Sequence, residues 1–134
     1  MAPISLFAVY IDDVVSRLSL SQRYFIILYA DDILMISLSV SVLQNIVSIC
    51  ERELNLLDMQ VNVRKSCCMR IGQRYSVKCA DILSGDGTPI MWVDSIRYLG
   101  IVIVRFSKFK CLLDNAKRSF FLSVNVLFSK IGRR

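Results

Sequence analysis

An α+β fold with an antiparallel sheet and packed helices is predicted by three observations in this 134-residue chain. Two apolar runs, Tyr24-Phe25-Ile26-Ile27-Leu28 and Ile33-Leu34-Met35-Ile36, flank Tyr29-Ala30-Asp31-Asp32 and read as the strands of a hairpin. Apolar residues recur at helical spacing over 41–57 and again over 112–130. Between those two stretches lie short apolar runs separated by turn-forming residues, the pattern of small strands.

Taken in order, residues 3–19 read as the end of a helix and its exit. The hairpin follows at 23–37, with Ala30 and Asp31 in the turn. Asp tolerates left-handed backbone angles better than most residues, so a two-residue turn needs no glycine. Residues 24–29 and 33–36 are apolar on both alternating faces, which predicts strands covered on both sides. Ser39 or Ser41 can cap the next helix, whose face of Leu43, Ile46, Val47, Cys50, Leu54 and Leu57 is suited to lie on a sheet. Strands are predicted at 60–63, 67–71, 77–83, 90–93 and 98–104. Gly85-Asp86-Gly87-Thr88-Pro89 is read as a turn, because a phosphate-cradling loop would open a helix and this segment does not. The last helix carries Leu113, Ala116, Phe120, Val124, Leu127 and Phe128.

Hydrophobic residues make up 54% of the chain and the mean hydropathy is +0.51, high for a self-contained soluble domain. Either the chain enters a membrane or its apolar faces are made for a further part of a larger protein. Residues 33–50 lack charge but hold Ser37, Ser39, Ser41, Gln44, Asn45 and Ser48, a poor bilayer span, so the second explanation is preferred. Residues 1–11 imitate the apolar part of a signal peptide, yet no positive charge precedes them and Asp12 and Asp13 follow directly. Five cysteines, with no Cys-x-x-Cys pair and no histidine, argue against a disulfide framework or a zinc site and fit a cytoplasmic or nuclear setting.

Charge is divided along the chain. Residues 1–58 hold three basic and seven acidic side chains, whereas residues 59–134 hold fourteen and four. A basic half of this kind suits phosphates and salt-dependent binding of nucleic acid, the plain alternative being an ordinary solvated surface.

Asp31 and Asp32 are the leading candidates for chemistry. Ionised carboxylates moved from water into apolar surroundings cost several kcal/mol unless neutralised, and no basic residue lies between Arg23 and Arg52. A divalent cation would neutralise both; a solvated turn is the alternative. Successive strand side chains point to opposite faces, so the pair converges only at the bend, which makes Asp31 the stronger ligand and Asp32 the weaker. Tyr10-Ile11-Asp12-Asp13 has the same form, but the more polar Val14-Val15-Ser16-Arg17-Leu18-Ser19 follows it and no second strand run does, so it is read as a helix exit.

At Tyr29-Ala30-Asp31-Asp32 the chain resembles the reverse transcriptase domain of non-LTR retrotransposons, whose catalytic hairpin carries Tyr-Ala-Asp-Asp in this setting. Ala2-Pro3-Ile4-Ser5-Leu6-Phe7-Ala8-Val9-Tyr10-Ile11 is similar to the end of the helix after the template- and nucleotide-contacting segment. Asn62-Val63-Arg64-Lys65-Ser66 is similar to the segment with the family's nucleotide-side lysine. Ile96-Arg97-Tyr98-Leu99-Gly100-Ile101 resembles the primer grip, and Leu113-Asp114-Asn115-Ala116-Lys117-Arg118-Ser119-Phe120 the start of the thumb helix. These segments stand in family order, and the resemblance they carry extends over nearly the whole chain.

The resemblance implies a partial polymerase palm over 1–104 and the start of a thumb over 105–134. It implies RNA-directed DNA synthesis from an RNA template, a DNA primer and dNTPs, with no membrane partner. The chemistry would use two magnesium ions about 3.5–4 Å apart, one activating the primer hydroxyl and one holding the triphosphate. Asp31 would bridge the ions and Asp32 assist. Lys65 would neutralise the triphosphate or protonate the leaving pyrophosphate, unless it is a plain surface lysine. Tyr98, Leu99 and Gly100 would contact the primer, glycine permitting close backbone approach, although the segment also suits a simple strand and turn. Lys117 and Arg118 would meet the duplex backbone or form a solvated helical face. Tyr29 would pack near primer or template, or belong to a core. The family's fingers and its earlier palm aspartate have no counterpart here, so the carboxylate set is expected to be incomplete and the isolated chain to have little or no polymerase activity. A nucleic-acid-binding module without chemistry and a relic unable to fold alone are the alternatives.

Overall fold

The computed structural model describes residues 24–131. The helix end predicted over 3–19 and the Asp12–Asp13 pair lie outside the described residues. The fold is α+β, in the order β1 (Tyr24–Tyr29), β2 (Asp32–Ser37), α1 (Val40–Leu56), β3 (Cys67–Cys68), β4 (Ile82–Leu83), β5 (Pro89–Trp92), β6 (Ser95–Tyr98), β7 (Ile101–Val104), β8 (Lys110–Leu112) and α2 (Asp114–Ile131). Two compact units emerge: residues 24–66 with Cys79–Met91, and Cys67–Lys78 with residues 92–131.

In the first unit β1 and β2 form an antiparallel hairpin in which Tyr24 faces Ser37, Leu28 faces Ile33 and Tyr29 faces Asp32. The period-2 geometry of a strand divides these residues between two faces. Tyr24, Ile26, Leu28, Ile33 and Met35 pack against a core of Ile46, Cys50 and Leu54 from α1. The opposite face leaves Phe25 68%, Ile27 47%, Tyr29 59% and Ile36 47% exposed. Cover on both sides is therefore not what the described residues provide: one face meets the helix, the other is open.

α1 begins where Ser39 accepts a hydrogen bond from the Val42 N–H at 3.2 Å, and Ser41 takes no part in that cap beyond a hydroxyl contact with Ser39. It ends in a Schellman arrangement. Met59 N–H donates to the Leu54 carbonyl at 2.9 Å and Asp58 N–H to that of Asn55 at 3.2 Å, with Asp58 at φ +54°. Met59 then folds back onto the core that contains Leu54. β4 and β5 pair through Ile82 with Ile90, both buried. Their connecting turn closes with Gly87 N–H to the Ser84 carbonyl at 2.8 Å and Thr88 N–H to the Asp86 carboxylate at 2.8 Å. Those Thr88 donors hold the Asp86 carboxyl below its ordinary range.

Two polar residues of α1 catch this second hairpin. Gln44 exchanges both hydrogen bonds with the Leu83 backbone, at 2.7 and 2.8 Å. Buried Glu51 accepts from the Ser84 hydroxyl and from the Gly85 N–H, the latter at 2.7 Å. Gln44 and Glu51 are two helical turns apart, so they share a face.

The stretch predicted as a strand at 60–63 is irregular and runs into a turn. Asn62 accepts from the N–H groups of Lys65 and Ser66 through its carbonyl, each at 3.0 Å. Backbone donors spent on a local turn are unavailable to a sheet ladder, which is the physical reason for the difference. The runs at 67–71 and 77–83 shrink to β3 and β4.

In the second unit β7 lies between β6 and β8, both antiparallel to it. The run at 98–104, predicted as one strand, turns back on itself. Tyr98 pairs with Ile101 across a two-residue turn at Leu99 (φ +48°) and Gly100 (φ +81°). Positive φ at both central residues is the hairpin geometry whose twist matches the strands. Arg105 ties this sheet to the segment before β6, its guanidinium 2.9 Å from the Asp94 carboxylate and its N–H 2.8 Å from the Asp94 carbonyl.

Candidate metal-binding hairpin

The first unit presents the two carboxylates at the tip of the β1–β2 hairpin. Ala30, not Asp31, takes the left-handed backbone conformation, with φ +51°. Asp31 follows it in the turn, and Asp32 opens β2 directly opposite Tyr29. Cross-strand partners share a face, so Asp32 and Tyr29 stand at the end of the open face formed by Phe25, Ile27 and Ile36. Both aspartates are exposed, so the desolvation cost that pointed to a neutralising cation does not arise here, because water solvates both carboxylates. The alternation that sends strand side chains to opposite faces is broken at the turn, so Asp31 is not held to the face opposite Asp32.

Two carboxylates are donors of the type a hard cation takes. Magnesium takes oxygen ligands, keeps several of its waters and is commonly bound by one or two carboxylates plus substrate phosphates. Exposed aspartates at a hairpin tip supply two such oxygens while leaving room for water and phosphate. Among the described residues no cluster of three or more His, Cys, Asp or Glu side chains forms, so Asp31 and Asp32 are the carboxylates this hairpin offers.

Lys65 belongs to the same unit and is exposed in the turn after α1. Its N–H is held by the Asn62 carbonyl at 3.0 Å and by the Asn62 side chain at 3.3 Å, which fixes the backbone and leaves the ammonium arm in solvent. The structure thus brings Tyr29, Asp31 and Asp32 together and sets Lys65 on a separate turn.

Tyr98, Leu99 and Gly100 form the β6–β7 turn of the second unit. A Cβ added at Gly100 meets nothing within 4 Å, so within the protein this glycine answers to its positive φ rather than to a close backbone approach. Lys117 and Arg118 are exposed on the first turns of α2, where Lys117 lines a shallow apolar hollow with Leu113, Ala116, Phe120 and Phe121. Reading the sequence missed Gln44 and Glu51; the available signal was a pair of polar residues on the inward side of an amphipathic helix.

Electrostatics separate the units. The described part of the first holds three basic and seven acidic residues, net −4, and that of the second ten and two, net +8. An acidic unit bearing the carboxylate hairpin and a basic unit suited to phosphates are complementary to a cation and to a polyanion respectively.

No helix among the described residues is long and apolar enough to cross a membrane. No curated protein and no solved structure was found to match the chain. A family model described as reverse transcriptase (RNA-dependent DNA polymerase) matches residues 1–103. That match covers the Tyr29-Ala30-Asp31-Asp32 hairpin, the Lys65 turn and the Tyr98-Leu99-Gly100 turn, and with more than half of the sequence accounted for, the chain belongs to the reverse transcriptase family.

Proposed function

We propose that this chain is part of an RNA-directed DNA polymerase of the non-LTR retrotransposon type, with residues 1–104 in its palm and 105–134 beginning its thumb. The observation that carries the reading is the hairpin itself: Asp31 in the turn, Asp32 beside it and Tyr29 across from it, inside the family match. Asp31 and Asp32 would hold divalent magnesium, which would supply Lewis-acid charge neutralisation for nucleotidyl transfer. In that reaction the primer 3′ oxygen bonds to the α-phosphorus of a dNTP as the bond to pyrophosphate breaks. Lys65 neutralises charge on the triphosphate and the leaving pyrophosphate. Tyr98, Leu99 and Gly100 hold the primer strand, and Lys117 and Arg118 meet the duplex backbone through counterion release. Tyr29 packs against nucleic acid with its exposed ring.

Manganese titration followed by NMR line broadening tests the metal site. Selective loss of the amide signals of Ala30, Asp31, Asp32 and Ile33, reversed in Asp31→Ala, is the expected result. Uniform broadening removes the hairpin from metal binding. Primer extension on an RNA template then separates chemistry from binding. Extension that disappears in Asp31→Ala identifies a polymerase. Salt-sensitive binding of primer–template without extension, unaffected by Asp31→Ala, favours the reading of a nucleic-acid-binding module without chemistry, for which the net +8 of the second unit speaks.

A further inference from the structure

The loop after β7 and the first residue of β8 read Arg105-Phe106-Ser107-Lys108-Phe109-Lys110, two aromatic rings interleaved with cations. Phe106 is 45% and Phe109 66% exposed, although burying a phenylalanine side chain is worth about 1.5–3 kcal/mol. The two rings differ in their surroundings. Phe106 is tied into the protein: its carbonyl accepts from the Gly72 N–H at 3.0 Å, its ring lies 5.8 Å from that of Tyr75, and Lys110 Nζ stands 5.3 Å from its centroid. Arg105 anchors the base of the loop through Asp94. Phe109 is the more exposed ring, on a loop already fixed from both ends, flanked by exposed Lys108 and Lys110.

We propose that this loop is a binding site for single-stranded nucleic acid, with Phe109 stacking on a base and Lys108 and Lys110 holding the adjoining phosphates. Interleaved rings and cations match the alternation of base and phosphate along a single strand, and stacking on a phenyl ring is tolerant of base identity. A duplex offers the same phosphates but keeps its base faces stacked inside. Pre-organisation of the loop lowers the ordering cost of binding. The unit around it supplies ten basic residues against two acidic ones, and one of those two, Asp94, is already paired with Arg105. The site is distinct from the Tyr98-Leu99-Gly100 turn, because the four residues of β7 separate them, roughly 13 Å along an extended strand. It stands on the chemistry of the loop and does not require the hairpin carboxylates.

Fluorescence anisotropy of the full chain tests this with three labelled probes of matched length: oligothymidylate, its abasic counterpart of equal charge, and duplex DNA. The expected result is tighter binding of oligothymidylate than of the abasic chain. Phe109→Ala is expected to weaken oligothymidylate by roughly tenfold, the worth of one stacked base, and to leave the abasic chain unchanged. Phe109→Tyr, which keeps the ring, retains the affinity. Lys108→Gln and Lys110→Gln weaken both single-stranded ligands and flatten the salt dependence. Equal binding of the oligothymidylate and abasic probes overturns the proposal, as does a Phe109→Ala loss that is as large for the duplex as for the single strand. So does Phe109→Tyr binding as poorly as Phe109→Ala, or displacement of oligothymidylate by polyglutamate at equal charge.

Discussion

The hydroxyl of Tyr98 is buried with no hydrogen-bond partner among the described residues. An unpaired buried polar group costs about 1–3 kcal/mol, whereas an apolar group of the same shape does not. Tyr98→Phe is therefore expected to raise the urea midpoint, by about 1 kcal/mol of stability; a lowered midpoint would mean that the hydroxyl is satisfied. Cys50 makes the opposite kind of statement, through pH. Burial, then the nearby Glu51 and Glu53 carboxylates, push its thiol from the ordinary 9.0 up to about 11. Below pH 9 the thiol is protonated in both folded and unfolded chains and its contribution to stability is complete. Between 9 and about 11 only the unfolded chain ionises, so the unfolded state gains and stability falls, by roughly 3 kcal/mol over the window. Urea unfolding measured below pH 9 and again near 11 should show that fall, and Cys50→Ala should lose this part of the pH slope. A slope unchanged in Cys50→Ala would assign it elsewhere. At the same scale, Asp58 and Ala30 both hold positive φ without being glycine, a conformation that costs a non-glycine residue about 1–2 kcal/mol. At Asp58 it serves the Schellman cap, and at Ala30 it lets the chain reverse before the carboxylates.

At the scale of elements, α1 organises the first unit with both of its faces: apolar residues against the β1–β2 hairpin, and Gln44 and Glu51 against the β4–β5 hairpin. Glu51→Ala leaves the Ser84 hydroxyl and the Gly85 N–H without their acceptor, and a loss of about 1–3 kcal/mol is expected. Glu51→Gln retains an acceptor oxygen and is expected to lose less. Equal stability of wild type and Glu51→Ala would show that solvent replaces the carboxylate. Both helices and the hairpin were legible in the sequence because their signals are periodic over many residues: the pattern over 41–57 became Val40–Leu56, that over 112–130 became Asp114–Ile131, and the strands around Tyr29-Ala30-Asp31-Asp32 fell where expected. The short strands were not, because competing local interactions decide them. The Asn62 carbonyl draws the backbone donors of Lys65 and Ser66 into a turn, and Leu99 and Gly100 break an apolar run in two by adopting positive φ. The open face of the hairpin was illegible for another reason: period-2 apolarity reports what a strand could bury, not what covers it. For the candidate site, the adjacency of Asp31, Asp32 and Tyr29 followed from hairpin geometry alone, while the distribution of Lys65 and Tyr98 between two units is a tertiary fact.

At the scale of the whole molecule, the apolar content exceeds what its core consumes. Among the described residues seven hydrophobic side chains are buried and twenty large ones are exposed, in a chain whose mean hydropathy is +0.51. Scattered exposed residues need no explanation, but contiguous ones do. Phe25, Ile27, Tyr29 and Ile36 are contiguous, since strand register brings Phe25 beside Ile36 and alternation aligns Ile27 and Tyr29 with them. Among the described residues this sheet has only two strands, so its outer edges also offer unpaired backbone groups, a second route to association. The chain is accordingly expected to self-associate as its concentration rises in sedimentation velocity. Phe25→Lys should oppose this by removing about 1.5–3 kcal/mol of potential burial and by setting like charges against each other, weakening association by tenfold or more. Because Phe25 lies off the α1 core, its circular dichroism should match that of the parent chain. If Phe25→Lys sediments as the parent does, association runs through the strand edges or the exposed phenylalanines of α2, and Phe120→Lys becomes the variant that discriminates between them.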